Sequence, residues 1–166
     1  MELRKYRAVD YENIIKLFYD TVHSVCSKDY SDVQLNAWAP NDKTLFDLEN
    51  RLIINYTVVV EKDDVIIGFG NVNGTNYFDC LYTHKNYQGM GVATLIANDI
   101  EQYFYNKGIR IITTDASISA KPFFEKRGYV VLQEQNVKCR NQYLKNYKMQ
   151  KILGENFYHE NQRRIL

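Results

Sequence analysis

Two glycines separated by one residue, Gly89 and Gly91, lie in the run Asn86-Tyr87-Gln88-Gly89-Met90-Gly91-Val92-Ala93-Thr94, between a β-prone stretch and an amphipathic helical one. Without Cβ atoms, glycines let backbone N–H groups close round a ligand. The helix that follows adds N–H groups with no intrahelical partner and a partial positive charge. Together these features suit a pyrophosphate, and they call for no metal. Two other phosphate-binding patterns are missing: no Lys-Ser or Lys-Thr pair closes a P-loop here, and no third glycine stands at dinucleotide-fold spacing.

The elements that must position this loop follow from periodicity. Leu3 to Arg7 alternates as a first strand, and Asp10 is placed to cap a helix whose apolar face is Ile14, Leu17, Phe18, Val22 and Val25. Tyr30 to Pro40 reads as a short helix stopped by proline, and a further helix is expected from about Thr44 to Asn55. Three β signals come next, Tyr56 to Glu61, Val65 to Asn71 and Tyr77 to Thr83, joined by Asp63-Asp64 and Asn73-Gly74 turns as an antiparallel meander. Behind the glycines, Val92, Leu95, Ile96, Ile100, Tyr103 and Phe104 mark one face of a long helix that Gly108 can end. A strand from Ile109 to Thr114, a helix from Ser119 to Arg127 and two closing strands, Tyr129 to Val137 and Tyr143 to Ile152, complete the chain. The fold class expected is α/β (α+β), with a mixed, mostly antiparallel central sheet of six to seven strands and helices on both faces. One domain spans residues 1–153, and the polar stretch 154–166 reads as a tail outside the core.

Gln88, Gly91 and Ala93 fit the signature of the GNAT superfamily of N-acetyltransferases, and the chain resembles that family, in particular an uncharacterised bacterial branch of it. A second match is Ala120-Lys121-Pro122-Phe123-Phe124-Glu125-Lys126-Arg127-Gly128-Tyr129, which is similar to the family's other recurrent stretch. The resemblance implies an acyl-CoA N-acyltransferase fold in which Tyr77 to Thr83 and Ile109 to Thr114 form a splayed parallel pair with acetyl-CoA between them. Backbone groups of Leu81, Tyr82 and Thr83 would bind the pantetheine arm. Gln88, Gly89, Met90, Gly91, Val92, Ala93 and Thr94 would hold the pyrophosphate. Ser117 stands where the family often has a cofactor-contacting asparagine, and Phe124 where many members have a tyrosine that protonates the departing thiolate.

Acetyl transfer to an amine needs a neutral nitrogen, and a lysine-like amine with a pKa of about 10.4 is almost wholly protonated at pH 7. A base must take that proton, and the leaving thiolate must be stabilised or protonated. Asp79, on the strand implied to contact the cofactor and sharing its parity with Leu81 and Thr83, is the first candidate base; the other reading is a salt-bridged strand aspartate. His84 and Glu61 follow. With phenylalanine at 124, the proton for the thiolate is left to water, to Tyr82 or to Tyr143, or to solvent after departure. His23, Tyr30 and Trp38 form a polar-aromatic set for an acceptor pocket, with core packing as the alternative for each.

Composition bounds these readings. A net charge of +1 over 166 residues, with no basic run longer than Arg163-Arg164, offers no field for nucleic acid. Cys26, Cys80 and Cys139 form no paired metal or redox motif and read as reduced thiols. Neither a signal-like apolar stretch near Met1 nor a window of ~20 apolar residues occurs, so no membrane is expected and the cytoplasm is. The state of assembly is left as monomer or homodimer. Three functions fit: an acetyl-CoA-dependent N-acetyltransferase acting on an amine of a small molecule or peptide, an acyl-CoA-binding module or sensor with little turnover, and an interaction protein with a vacant cleft.

Overall fold

A computed structural model describes residues 1–41, 45, 47–154 and 157. Its strands are β1 (Glu2–Lys5), β2 (Thr57–Lys62), β3 (Val65–Asn73), β4 (Tyr77–Thr83), β5 (Ile111–Ser117), β6 (Val130–Cys139) and β7 (Gln142–Ile152). Its helices are α1 (Tyr11–Val25), α2 (Asp32–Trp38), α3 (Leu48–Ile54), α4 (Val92–Asn106) and α5 (Lys121–Lys126). The seven strands form one sheet in the order β1-β2-β3-β4-β5-β7-β6. Every neighbouring pair is antiparallel except β4 and β5. Among the described residues no helix is long and apolar enough to cross a membrane.

Side-chain alternation along the central strands builds a core on each face. Val58, Val60, Ile67 and Phe78 pack with Ile96, Ile100 and Phe104 of α4 and Phe124 of α5. On the opposite face Val59, Phe69 and Cys80 meet Ile14, Phe18 and Val22 of α1, Leu35 of α2 and Leu52 of α3. The expected fold class therefore holds, with the strand count at seven.

Local departures have physical causes. Asp10 precedes α1 but makes no side-chain cap; its carboxylate instead takes two bonds from the Arg4 guanidinium (2.8 and 2.9 Å) and one from the Arg7 backbone N–H (2.8 Å). A charged fork on the neighbouring strand outcompetes an uncharged helix end. Ser31 does cap α2, in a reciprocal box with Gln34. The helix expected over Thr44 to Asn55 is α3, shorter at its start, and residues 42–44 and 46 lie outside the described residues. β5 runs on through Ser117, so that residue ends a strand rather than heading the helix after it. Most of 155–166 lies outside the described residues, but Phe157 is buried against the α4 side of the core, with its ring 5.5 Å from that of Tyr105. Core packing thus extends beyond residue 153.

Two features fix α4, and hence the glycine loop at its start. Glu101 of α4 is fully buried and ion-paired to Arg127 and Lys151, at 2.8 Å each, tying the helix to the end of α5 and to β7. Beneath the helix's first turns, β3 presents Gly68 and Gly70. A Cβ on Gly68 would lie 2.5 Å from Val92 Cγ1 and 3.0 Å from Ile96 Cδ1, so α4 rests directly on strand backbone. Val92 is β-branched and cannot swing aside. Gly68→Ala is therefore expected to destabilise the protein by about 1–3 kcal/mol through overpacking, read as a lowered urea midpoint at unchanged m-value.

Candidate active site

β4 and β5 share a single register pair, Tyr77↔Thr113, and part beyond it. At the fork the Thr114 hydroxyl donates to the Phe78 carbonyl (2.8 Å), so a side chain stands where a ladder bond would be. From there to Thr83, the β4 edge facing β5 has no strand registered against it, and its backbone groups line the gap.

A cavity of 410 Å³ fills this gap and ends at the glycine loop. Gly89 and Gly91 have φ of +72° and +82°, a conformation that costs an L-residue roughly 1–2 kcal/mol. Gly91 caps α4 without using a side chain, leaving the first N–H groups of the helix directed at the cavity end. Gln88 locks the loop to the strand: its Nε2 donates to the Thr83 carbonyl (2.6 Å), which also accepts from the Thr21 hydroxyl of α1 (3.0 Å).

On the α1–α3 side of the sheet lies a second cavity of 630 Å³. The two share Trp38, Asp79, Tyr82, Asp115 and Ser117, so they adjoin at the fork. Asp79 sits at this junction and its Oδ2 accepts from Arg51 Nη1 of α3 (2.6 Å). Burial pushes its carboxyl above the ordinary range, against the pull of Arg51 and with a smaller push from Asp115. Tyr82 stacks on Phe69 (5.4 Å) and meets Phe18 edge-on (4.9 Å). Burial holds its hydroxyl well above the usual tyrosine value.

Of the residues expected at the cofactor, Leu81, Tyr82, Thr83, Gln88, Gly89, Gly91, Val92, Ala93, Thr94, Ser117 and Phe124 all line the first cavity. Met90 alone does not; it is 50% exposed, its side chain turned out by the two left-handed glycines beside it. Asp79 does not follow the regular alternation of β4. Asn71 pairs with Cys80 and Val72 with Phe78, so Asp79 is the extra residue of a β-bulge. That bulge turns Asp79 out of step with Leu81 and lets it border both cavities.

The other candidates separate cleanly. His84 accepts the Asn86 N–H on Nδ1 (3.2 Å) and caps a short turn, and Glu61 pairs with Arg4 (2.5 Å); neither borders either of these two cavities. Tyr143 is 62% exposed and also lies away. Tyr30 borders the second cavity, but its hydroxyl is committed, donating to Lys145 O (2.6 Å) and accepting from Ile118 N (3.0 Å), and burial pushes its pKa up to about 12. Trp38 borders both cavities. His23 borders neither; it stacks on Tyr19 (4.2 Å) and bonds the Ala39 carbonyl (2.8 Å), a packing role. Missed from the sequence were Arg51, Tyr77, Asp115 and Asn146, which come from four elements and share no local pattern.

Comparison with known proteins agrees with this geometry. Residues 26–153 match the acetyltransferase (GNAT) domain family. The chain is 29% identical over 149 residues to the N-acetyltransferase YafP of Escherichia coli (strain K12), covering 90% of this chain and 94% of that one. It is 33% identical to a GCN5-related N-acetyltransferase from Rhodopseudomonas palustris, with a TM-score of 0.85 over 92% of this chain and 95% of that one. The PaiA N-acetyltransferase of Thermoplasma acidophilum, solved in complex with coenzyme A, shares the fold at 17% identity, with a TM-score of 0.73 over 91% and 98% of the two chains.

The pyrophosphate expectation has a direct test at Ala93, in the first turn of α4. Glutamate there suits the helix N-terminus, so stability should hold or rise slightly. Its carboxylate would face the same N–H groups as a phosphate. Ala93→Glu is expected to lower coenzyme A affinity at least ~100-fold, on the order of 3 kcal/mol, with an unchanged melting temperature; calorimetric titration reads the first and thermal denaturation the second.

Proposed function

The chain belongs to the GNAT family of acetyltransferases, and on that premise we propose that it moves an acetyl group from acetyl-CoA to a primary amine by direct attack in a ternary complex. The observation that carries this reading is the junction of the two cavities at Asp79 and Tyr82. One cavity ends at the glycine loop and the other is open to a second molecule, so two substrates can meet without a covalent relay through the protein.

Acetyl-CoA, when bound, supplies a thioester acetyl group and a sulfur leaving group. The backbone N–H groups at the start of α4 would hold its pyrophosphate, and the open edge of β4 at Leu81 to Thr83 would pair with its amide-bearing arm, as a strand would. Phe124 and Ser117 flank the far wall. A backbone N–H on that same edge polarises the thioester carbonyl.

Asp79 takes one proton from the entering ammonium, directly or through a water, leaving a neutral nitrogen. Its raised pKa makes it a stronger base than an ordinary carboxylate, and Arg51 keeps the ionised form populated. Tyr82 hands its hydroxyl proton to the sulfur as the C–S bond breaks, and recovers one from the nitrogen that has become an amide. Desolvation raises the tyrosine, but a thiolate in the same cavity is desolvated too, so the two stay closer in basicity than their values in water.

Phe124 favours a second reading. It is 3% exposed and packed edge-on against Phe78 (5.7 Å), Phe123 (5.5 Å) and Tyr129 (5.0 Å), with no hydroxyl to offer. On that ground the chain would be an acyl-CoA-binding module with little turnover. Release of free thiol from acetyl-CoA across an amine panel separates the two, since only the first predicts it.

For the enzyme, Asp79→Asn is expected to lower kcat/KM about 10²–10⁴-fold and to abolish the acid limb of its pH profile, which in the native protein falls above the ordinary carboxylate range. The sign for stability is opposite. A folded-state pKa raised above the unfolded value means that ionising Asp79 opposes folding, and the cost develops as pH rises between the two values. Asp79→Asn should therefore melt no lower than the native protein at pH 7. Tyr82→Phe is expected to reduce kcat about 10²-fold with coenzyme A affinity kept; an unchanged kcat would remove Tyr82 from the proton path.

A further inference from the structure

The second cavity is lined mainly by aromatic and apolar side chains, Trp38, Tyr82, Phe18 and Phe69 among them, and its charges are distributed unevenly. Asp79 is neutralised by Arg51. Asp115, on β5 at the same junction, is exposed and bonds to neutral groups, the Tyr77 hydroxyl (3.1 Å) and Gln135 Nε2 (2.9 Å); Lys148 is its register partner on β7, but no salt bridge to Asp115 occurs among the described residues. Burial, Asp115 and Asp79 together keep the Tyr77 proton in place, so this partner stays neutral.

Two of the cations that border the cavity are committed elsewhere. Arg140 donates to the Ala37 carbonyl at the end of α2, and Lys145 pairs with Glu134 (2.9 Å). Lys138, between Val137 and Cys139 on β6, also borders the cavity and is exposed.

Beside Ser117, its register partner, lies Asn146 of β7. Asn146 Oδ1 is buried and has no hydrogen-bond partner among the described residues. A buried acceptor left without a donor is costly, and that cost is recovered if a ligand supplies the donor. One carboxylate without a salt bridge among the described residues and one orphaned acceptor therefore border a cavity lined mainly by aromatic and apolar side chains.

We propose that Asp115 and Asn146 are the acceptor-anchoring residues, and that the acceptor is a monoamine with an aromatic or apolar body and no carboxylate beside its amine. The proposal rests on the acetyl-transfer reading above and deepens it. The ammonium donates to Asp115 and to Asn146 Oδ1, which places its nitrogen beside Asp79, and the body lies against Trp38 and Tyr82, where ring faces favour a cation and exclude water. An α-carboxylate would meet the unneutralised Asp115.

The test titrates phenethylamine and L-phenylalanine into the native protein saturated with coenzyme A, by calorimetry, with acetyl transfer from acetyl-CoA followed separately as thiol release. Phenethylamine is expected to bind at least ~10-fold tighter than L-phenylalanine. Asp115→Asn should weaken it about 10-fold or more, the usual worth of a charged hydrogen bond. Asn146→Leu should weaken it several-fold without lowering the melting temperature, because no protein partner of Oδ1 is lost. Equal or tighter binding of L-phenylalanine overturns the proposal, as does an Asp115→Asn variant that melts like the native protein and binds phenethylamine unchanged. Binding with this preference but no acetyl transfer would support the anchor while overturning the acetyl-transfer reading on which it was built.

Discussion

The parting of β4 from β5 is the constraint on which the rest of this molecule depends. Two parallel strands in the middle of a sheet would ordinarily satisfy each other along their whole length, because a backbone N–H or carbonyl buried without a partner is costly. Here they meet at Tyr77 and Thr113 and then separate, with the Thr114 hydroxyl occupying the Phe78 carbonyl at the fork. The sheet survives the interruption because it is closed on both sides. β3 pairs with β4 along its length and β7 pairs with all of β5, from Ile111↔Ile152 to Ser117↔Asn146. The open edge is therefore rigid, and a ligand with amides of its own can complete it without the protein having to order itself first.

The glycines of β3 act on the same site from beneath. α4 crosses the sheet beside the opening, and its first turn can reach the end of the gap only by resting on backbone. Gly68 and Gly70 provide that seat, and the buried Glu101 pair with Arg127 and Lys151 holds the far part of the helix. Gln88 then ties the loop to Thr83 at the last residue of the open strand, and the Thr21 bond to the same carbonyl brings α1 to this point. The N–H groups at the head of α4 are positioned by a chain of contacts through two strands and two helices, which is why the loop alone cannot define the site.

How far the sequence could be read follows from the range over which each signal acts. Strands and helices were legible because apolar periodicity is local, and the glycine loop because its spacing falls within one turn. Asp79 was found as a residue but placed by a parity rule that a bulge breaks, and nothing in Tyr77 to Thr83 announces the extra residue. The strand expected to end at Thr114 runs on to Ser117, because β5 outlasts its apolar run and continues through Asp115 and Ser117, polar residues that border the cavities. His23 had the right chemistry for a pocket, but its ring is occupied by Tyr19, its i,i+4 neighbour on α1, and by the Ala39 carbonyl, a contact from beyond the helix that no local pattern reveals. Arg51, Asp115 and Asn146 come from α3, β5 and β7, and they converge only when the sheet order is known.

The position of Asp79 brings structure and chemistry together. A regular strand would have directed residue 79 to one face; the bulge instead sets it where both cavities open, at a cost in buried charge that shows as a raised pKa. Arg51 offsets part of that cost from α3, beyond the sheet, while the exposed Asp115 has no salt bridge among the described residues. Removing Arg51 would raise Asp79 further, favouring the protonated acid over the base, whereas removing Asp115 would relieve it. The two carboxylates are therefore coupled, so a cation held at Asp115 lowers the pKa of Asp79 and favours its ionised form. On the proposed reading, an ammonium held there would ease the ionisation of the carboxylate that is to take its proton, adding to the larger pull of Arg51.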